Sequence, residues 1–206
     1  MLYPYVLAAL GGYLIGCSNM ALYLSKALGV DLRSAGSRNL GASNAMILLG
    51  WPAGILVGVH DIGKAVLAVL LARYFFAETA LIGTVAGVAC VLGHMYPFYL
   101  KFRGGKGFAS YLGMVIALQW KFALVLLAAV VIVTLLTDYI VVGTVTTVIS
   151  YPVFTAIRLR SWAAVAIICV ATLAILYKHR ENYVRIWNGT ETGLMRASRG
   201  EERIRK

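Results

Sequence analysis

Charge is scarce in this chain of 206 residues: 13% are Asp, Glu, Lys or Arg, and only 8 are acidic. A soluble domain keeps nearer a quarter of its residues charged. With 61% hydrophobic residues and a mean hydropathy of +0.82, the composition excludes a soluble domain and describes a chain solvated by lipid. Cysteine is sparse too. Cys17, Cys90 and Cys169 are odd in number, lie in apolar runs and lack metal-ligand spacing, so they read as small core residues. No basic residue precedes the first apolar run; the first is Lys26, after it, which argues against a cleaved signal peptide. An internal repeat and polar residues spread along the spans are also lacking, which argues against a small anion transporter.

What is present is a series of apolar runs. The first extends from Leu2 to Leu24, and others follow at about 51–74, 79–98, 107–119, 122–137, 139–157 and 161–177. Several approach the roughly 20 residues that cross a bilayer. The expected fold is an all-α integral membrane protein of about seven transmembrane helices, a single polytopic domain over residues 1–206. The short run from Phe108 is the weakest span and is open to a partly re-entrant reading.

Lys and Arg number 19, for a formal charge of +11. In a soluble protein this would suggest nucleic acid, but no large soluble segment carries such a surface, and no nucleic-acid partner is expected. In a membrane protein basic residues report orientation first, and then attraction to anionic headgroups or substrates. Lys26, Arg33 and Arg38 lie between the first two runs, and Lys101, Arg103 and Lys106 between the third and fourth. Eight more occupy the tail from Lys178; the alternate side holds only Arg73, Lys121, Arg158 and Arg160. This bias predicts an outside amino terminus and a cytoplasmic carboxyl terminus. Asp61 and Lys64, three residues apart inside the second run, share a helix face. They read either as a buried structural ion pair or as direct substrate contacts.

Three segments break the apolar pattern, at about 33–47, 93–110 and 178–193, all on the predicted cytoplasmic side. The first, Gly36-Ser37-Arg38-Asn39-Leu40-Gly41-Ala42-Ser43-Asn44, suits a turn or helix start rich in donors, and alone is an ordinary polar loop. In the second, His94 precedes Lys101, Arg103 and the run Gly104-Gly105-Lys106-Gly107. Three glycines around a lysine let the backbone turn its N–H groups into one concavity, and a helix starting at about Gly107 adds positive potential for a phosphate. The spacing is not that of a nucleotide P-loop. In the third, Lys178, Glu181, Asn182 and Arg185 cannot all face one way, so at least one braces structure, and His179 sits where the last span leaves the membrane.

Together the segments GSRNLGASN, GHMYPFYLKFRGGKGFAS and HRENYVRIWNGTE resemble the three motifs of the bacterial acyl-phosphate-dependent glycerol-3-phosphate acyltransferases, the PlsY family. Order, spacing and intervening spans fit over essentially the whole chain. The resemblance implies transfer of a fatty acyl group from acyl phosphate to the 1-hydroxyl of sn-glycerol 3-phosphate, giving lysophosphatidic acid and phosphate, with no cofactor and no metal, in a bacterial inner membrane. Ser37, Lys106, His179 and Asn182 are the catalytic candidates. Phosphate binding is expected of His94, Lys101, Arg103, Gly104, Gly105, Lys106 and Gly107, with Arg38, Asn39 and Asn44; Glu181, Glu191, Asp61 and Lys64 are assigned to bracing. His179 is read as a general base or as a donor to phosphate. An acyl phosphate is already activated, so catalysis reduces to holding two anions together and stabilising the tetrahedral oxygen.

Two departures from the family pattern stand out. Ile47 occupies the place of an arginine while Arg38 replaces a glycine, and Val141 stands where relatives commonly carry serine, with Thr144 nearby. Losing one cation from a buried anion site costs roughly 2–5 kcal/mol. The alternative they raise is a non-catalytic or altered-substrate paralogue on the same scaffold.

Overall fold

The computed structural model describes residues 2–191 and 193. Arg196, Arg199, Arg203, Arg205 and Lys206, part of the basic tail, lie outside the described residues. The described elements are helical. In order they are α1 (Tyr3–Cys17), α2 (Met20–Leu28), α3 (Ala42–Leu49), α4 (Trp51–Phe75), α5 (Ile82–Met95), α6 (Phe108–Thr137), α7 (Ile140–Phe154), α8 (Trp162–Lys178) and α9 (Arg180–Trp187).

Local chemistry sets the boundaries. Asn19 interrupts the first run: its Oδ1 accepts from Leu22 N at 2.9 Å and caps α2, so the run becomes two helices. Pro52 in the first turn of α4 has its φ pre-set for a helix. The runs at 107–119 and 122–137 are two helical stretches that meet at a kink within α6. The kink lies at Gln119, whose φ of −148° and ψ of 66° leave the helical region. The Ala117 carbonyl beside this break accepts from Arg73 Nη1 at 2.9 Å.

Small residues let the bundle close. Gly12 and Gly16 of α1 lie against the backbone of Ala86 and Cys90 in α5, and Gly93 of α5 against that of Tyr13; a Cβ at any of the three would collide with a carbonyl oxygen. Such contacts replace the hydrophobic drive that lipid removes. The main core gathers Val91, Met95, Tyr111, Met114, Val148, Tyr151, Ile168 and Ile175 from α5 to α8. The buried Tyr111 hydroxyl lies 3.2 Å from both the Val148 carbonyl and Thr172 Oγ1. Leu7, Leu14, Val59, Leu67, Val131, Leu135 and Leu173 instead point outward, as lipid-facing side chains do.

Five stretches are long and apolar enough to cross a membrane, and a sixth if α8 and α9 form one bent span; α9 turns by 44° from α8. Contacts define two ends of the bundle. At one, Tyr5 Oη donates to Ala80 O at 3.0 Å, and Arg73, Thr79, Gln119, Leu159 and Ser161 share the wall of a cavity of about 350 Å³. At the other lie the α1–α2 break, the 96–107 segment and the α8–α9 junction, joined by Tyr99 Oη to Cys17 O at 2.6 Å and by Lys178 Nζ over the Tyr96 ring.

Candidate active site

The 96–107 segment is shaped by its backbone. Lys101 and Phe102 take left-handed φ values of 53° and 60°, which turns the chain back so that Gly104 N donates to Met95 O at 3.0 Å and Gly105 N to His94 O at 3.1 Å. Gly104 lies against the His94 carbonyl and Gly105 against the His94 ring, leaving no room for a side chain at either. Gly107, at φ 92°, then launches α6, where a side chain would be strained as well as crowded by Met95 and Ile175. Lys101 and Arg103 are exposed; Lys106 is half-buried, between the glycines.

From Lys106 a chain of contacts crosses to α9. Its Nζ donates to Asn182 Oδ1 at 2.5 Å, Asn182 Nδ2 donates to Glu191 Oε1 at 2.5 Å, and Arg185 Nε donates to Glu191 Oε2 at 2.6 Å. Asn182 is buried with its amide in the orientation that satisfies both neighbours: oxygen toward the ammonium, nitrogen toward the carboxylate. Burial pushes the Lys106 ammonium below the ordinary lysine range and the Arg185 guanidinium adds to this, while Glu191 and Glu181 oppose it. Glu191 thus braces Asn182 and helps Lys106 keep its charge. Glu181, on the other face of α9, is exposed beside Arg180 at 3.8 Å.

His179 occupies the 44° bend, buried. Its Nδ1 lies 2.8 Å from the Ile175 carbonyl, which can only accept, so Nδ1 carries a proton and Nε2 remains for other work. Gly107 packs on Ile175, one helical turn before His179, which sets the glycine turn and the histidine side by side.

The first segment reaches this end by packing: Leu32, Leu40, Ala45 and Val57 form a small core against which Leu100 rests. Asn44, fully buried, is spent on the loop that precedes it. Its Oδ1 accepts from Ser37 N at 2.8 Å, and its Nδ2 donates to Leu32 O at 2.7 Å and Ala35 O at 3.3 Å. It therefore shapes the loop and presents no free polar atom to a ligand. Ser37 and Arg38 are exposed at the loop's crest, Arg38 with a left-handed φ of 54°, and Asn39 is half-buried against Gly41. Ile47 is exposed, facing out from α3, whereas Val141 is buried and Thr144 Oγ1 donates to Ile140 O at 3.1 Å.

Beneath the glycine turn lies the α4 pair. Lys64 Nζ is 2.8 Å from Asp61 Oδ1, donates to Ser18 O at 2.7 Å and lies 2.8 Å from His94 Nδ1, with Lys64, Asp61 and His94 buried and Ser18 half-buried. The lysine's three N–H groups are consumed inside the bundle, which fits the bracing reading of the pair and leaves no donor for direct substrate contact. His60 and Ser18 belong to the same cluster, with Ser18 Oγ 3.0 Å from His60 Nε2 and His60 Nδ1 3.4 Å from Asp61 Oδ1. Sequence reading did not single these two out. A histidine next to an aspartate at membrane depth was the available signal.

Helices clothed in apolar side chains, with a glycine turn, cations and a fixed amide gathered at one end, define an all-helical integral membrane protein with a polar site at a bundle end. The chain belongs to the glycerol-3-phosphate acyltransferase family, whose model matches residues 6–189. Glycerol-3-phosphate acyltransferase 1 of Oceanobacillus iheyensis is 36% identical over 197 residues, covering 92% of this chain and 95% of that protein. The glycerol-3-phosphate acyltransferase of Thermoanaerobacter pseudethanolicus is 37% identical over 190 residues, with the same coverage. The crystal structure of the integral membrane glycerol 3-phosphate acyltransferase PlsY (YgiH) in its glycerol 3-phosphate form superposes with a TM-score of 0.86 at 33% identity, covering 92% of this chain and 95% of that one. Its lysophosphatidic acid form superposes with a TM-score of 0.83 at 32% identity.

Proposed function

We propose that this protein moves a fatty acyl group from acyl phosphate to the 1-hydroxyl of sn-glycerol 3-phosphate, releasing lysophosphatidic acid and phosphate. The observation that carries the reading is the meeting of the glycine turn, Lys106, Asn182 and His179 at one end of an apolar bundle. Family membership and the likeness to PlsY in its glycerol 3-phosphate and lysophosphatidic acid forms supply the acceptor and product. The acyl phosphate donor is what the motif resemblance implies, and the chemistry of the site is compatible with it. A mixed anhydride leaves without acid assistance, so a site built of cations and amides with no activating machinery suffices.

In this mechanism Lys106 neutralises a substrate phosphate, with the backbone N–H groups of Lys106 and Gly107 beside it, those of Gly104 and Gly105 being spent on Met95 and His94, and Asn182 holds the lysine in place. Exposed Lys101, Arg103 and Arg38 draw anions to the mouth, and Arg38 replaces the cation that Ile47 does not provide. Ser37 and Asn39 offer a hydroxyl and an amide from the first loop. With Nδ1–H given to Ile175, the neutral His179 ring presents Nε2 as acceptor for the glycerol hydroxyl. The hydroxyl oxygen attacks the acyl carbon, the C–O bond to phosphate breaks, and the departing phosphate takes up the proton.

The site faces the cytoplasm of a bacterial cell from its inner membrane. The excess of basic residues at this end supports that orientation. A single membrane domain with seven crossings is supported by Gln119 and Arg73 sharing one cavity wall while Gly193 lies against Asp138, so that each half of α6 makes its own passage. The test supplies palmitoyl phosphate and glycerol 3-phosphate to the purified protein and follows both products. Turnover is expected with acyl phosphate and not with acyl-CoA, reduced at least tenfold by Lys106→Ala or His179→Ala. Glycerol 3-phosphate binding without phosphate release would favour a non-catalytic paralogue instead.

A further inference from the structure

The buried α4 cluster has a consequence for the turn above it. An ammonium has no lone pair, so in the 2.8 Å contact between Lys64 Nζ and His94 Nδ1 the ring nitrogen accepts. An imidazole that accepts through Nδ1 carries its proton on Nε2. That Nε2 abuts Gly105, where a Cβ would overlap it, and the His94 carbonyl holds Gly105 N at 3.1 Å. Ring and main chain of His94 therefore both bear on the glycine turn. The competing tautomer has an obvious partner: Asp61 Oδ1 lies 3.4 Å from Nδ1 and would accept a proton there if Lys64 were absent.

We propose that Lys64 is a positioning residue that holds His94 as its Nε2–H tautomer, so that a neutral ring donates to a substrate phosphate resting in the Gly104–Gly107 turn. Asp61 balances the buried ammonium, and His60, backed by Ser18, closes the carboxylate's other side. A plain ion pair holding α4 to α1 would need neither the contact to His94 nor a glycine opposite Nε2. The proposal rests on the acyl-transfer reading of the site, because it assigns His94 to that reaction's phosphate.

The chain contains 3 histidines, so ¹⁵N-histidine labelling of the full protein in detergent gives a spectrum that single His60→Gln and His179→Gln variants assign. The expected wild-type His94 ring is protonated on Nε2 alone, and its Nε2 signal moves when inorganic phosphate is added. In Lys64→Met the ring converts to the Nδ1–H form, loses the phosphate response, and KM for glycerol 3-phosphate rises at least tenfold. A wild-type His94 protonated on Nδ1 or on both nitrogens, or one indifferent to phosphate, overturns the proposal without Lys64→Met having to fold. A folded Lys64→Met protein with wild-type KM overturns it too. If the expected tautomer and phosphate response are found in a protein that makes no lysophosphatidic acid, the positioning stands and the acyl-transfer reading falls.

Discussion

Replacing Glu191 by glutamine changes one atom and should disable a cation two contacts away. The carboxylate accepts from Asn182 Nδ2 at 2.5 Å through one oxygen and from Arg185 Nε at 2.6 Å through the other. Glutamine offers a single acceptor, so either orientation of its amide sets an NH₂ group against a donor. A buried donor left unpaired costs about 1–3 kcal/mol. Glu191 is 10% exposed and Arg185 34%, so water screens the arginine side and the smaller end applies. About 1.5 kcal/mol, with Asn182 free to turn away from Lys106, corresponds to about a tenfold loss in kcat/KM. The charge balance adds a second signature. Burial and Arg185 already depress the Lys106 ammonium, and Glu191 opposes them. Removing that opposition lowers it further, so the lysine sheds its proton at a lower pH than in the wild type. The alkaline limb of the pH–rate profile therefore shifts downward in Glu191→Gln. Phosphate release measured across pH tests both. A variant within twofold of wild type, with an unmoved alkaline limb, would refute the idea that Glu191 acts through Asn182 on Lys106.

Three further outcomes follow from the same contacts. Gly105→Ala places a methyl group on His94 Nε2 and should abolish measurable acyl transfer while leaving the protein extractable and folded, as read by size-exclusion chromatography alongside the activity assay. Asn44→Ala strips Ser37 N, Leu32 O and Ala35 O of their partner; a loss of about 2–3 kcal/mol is expected, seen as a lower Tm in a thermal melt in detergent. Gly16→Val drives a side chain into the Cys90 carbonyl and should cost about 1–3 kcal/mol by forcing α1 from α5, with a lowered Tm and KM unchanged in the protein that remains folded.

Departures from expectation have local causes. The run 2–24 became two helices because Asn19 can cap the second, whereas the runs at 107–119 and 122–137 meet at a kink of one non-helical residue, Gln119, with no loop between them. Neither outcome changes hydropathy, so a window of apolar residues does not separate them. Asn44 illustrates the limit for sites. Its motif context suggests a ligand donor, yet folding brings three loop backbone groups to it, and their unmet need is greater than that of a surface-bound ligand.

Composition and periodicity by themselves settled that this is a lipid-solvated helical chain, where its polar segments lie, and that glycines surround Lys106. These follow from transfer free energies and backbone freedom, which belong to each residue and its neighbours. Tertiary structure alone decided the pairings: Lys106 with Asn182 across 76 positions, Lys64 with His94 across 30, and Ser18 with His60 across 42. A hydrogen bond at membrane depth has no water to replace it, so its energy depends on which distant groups the packed helices deliver within about 3 Å of one another.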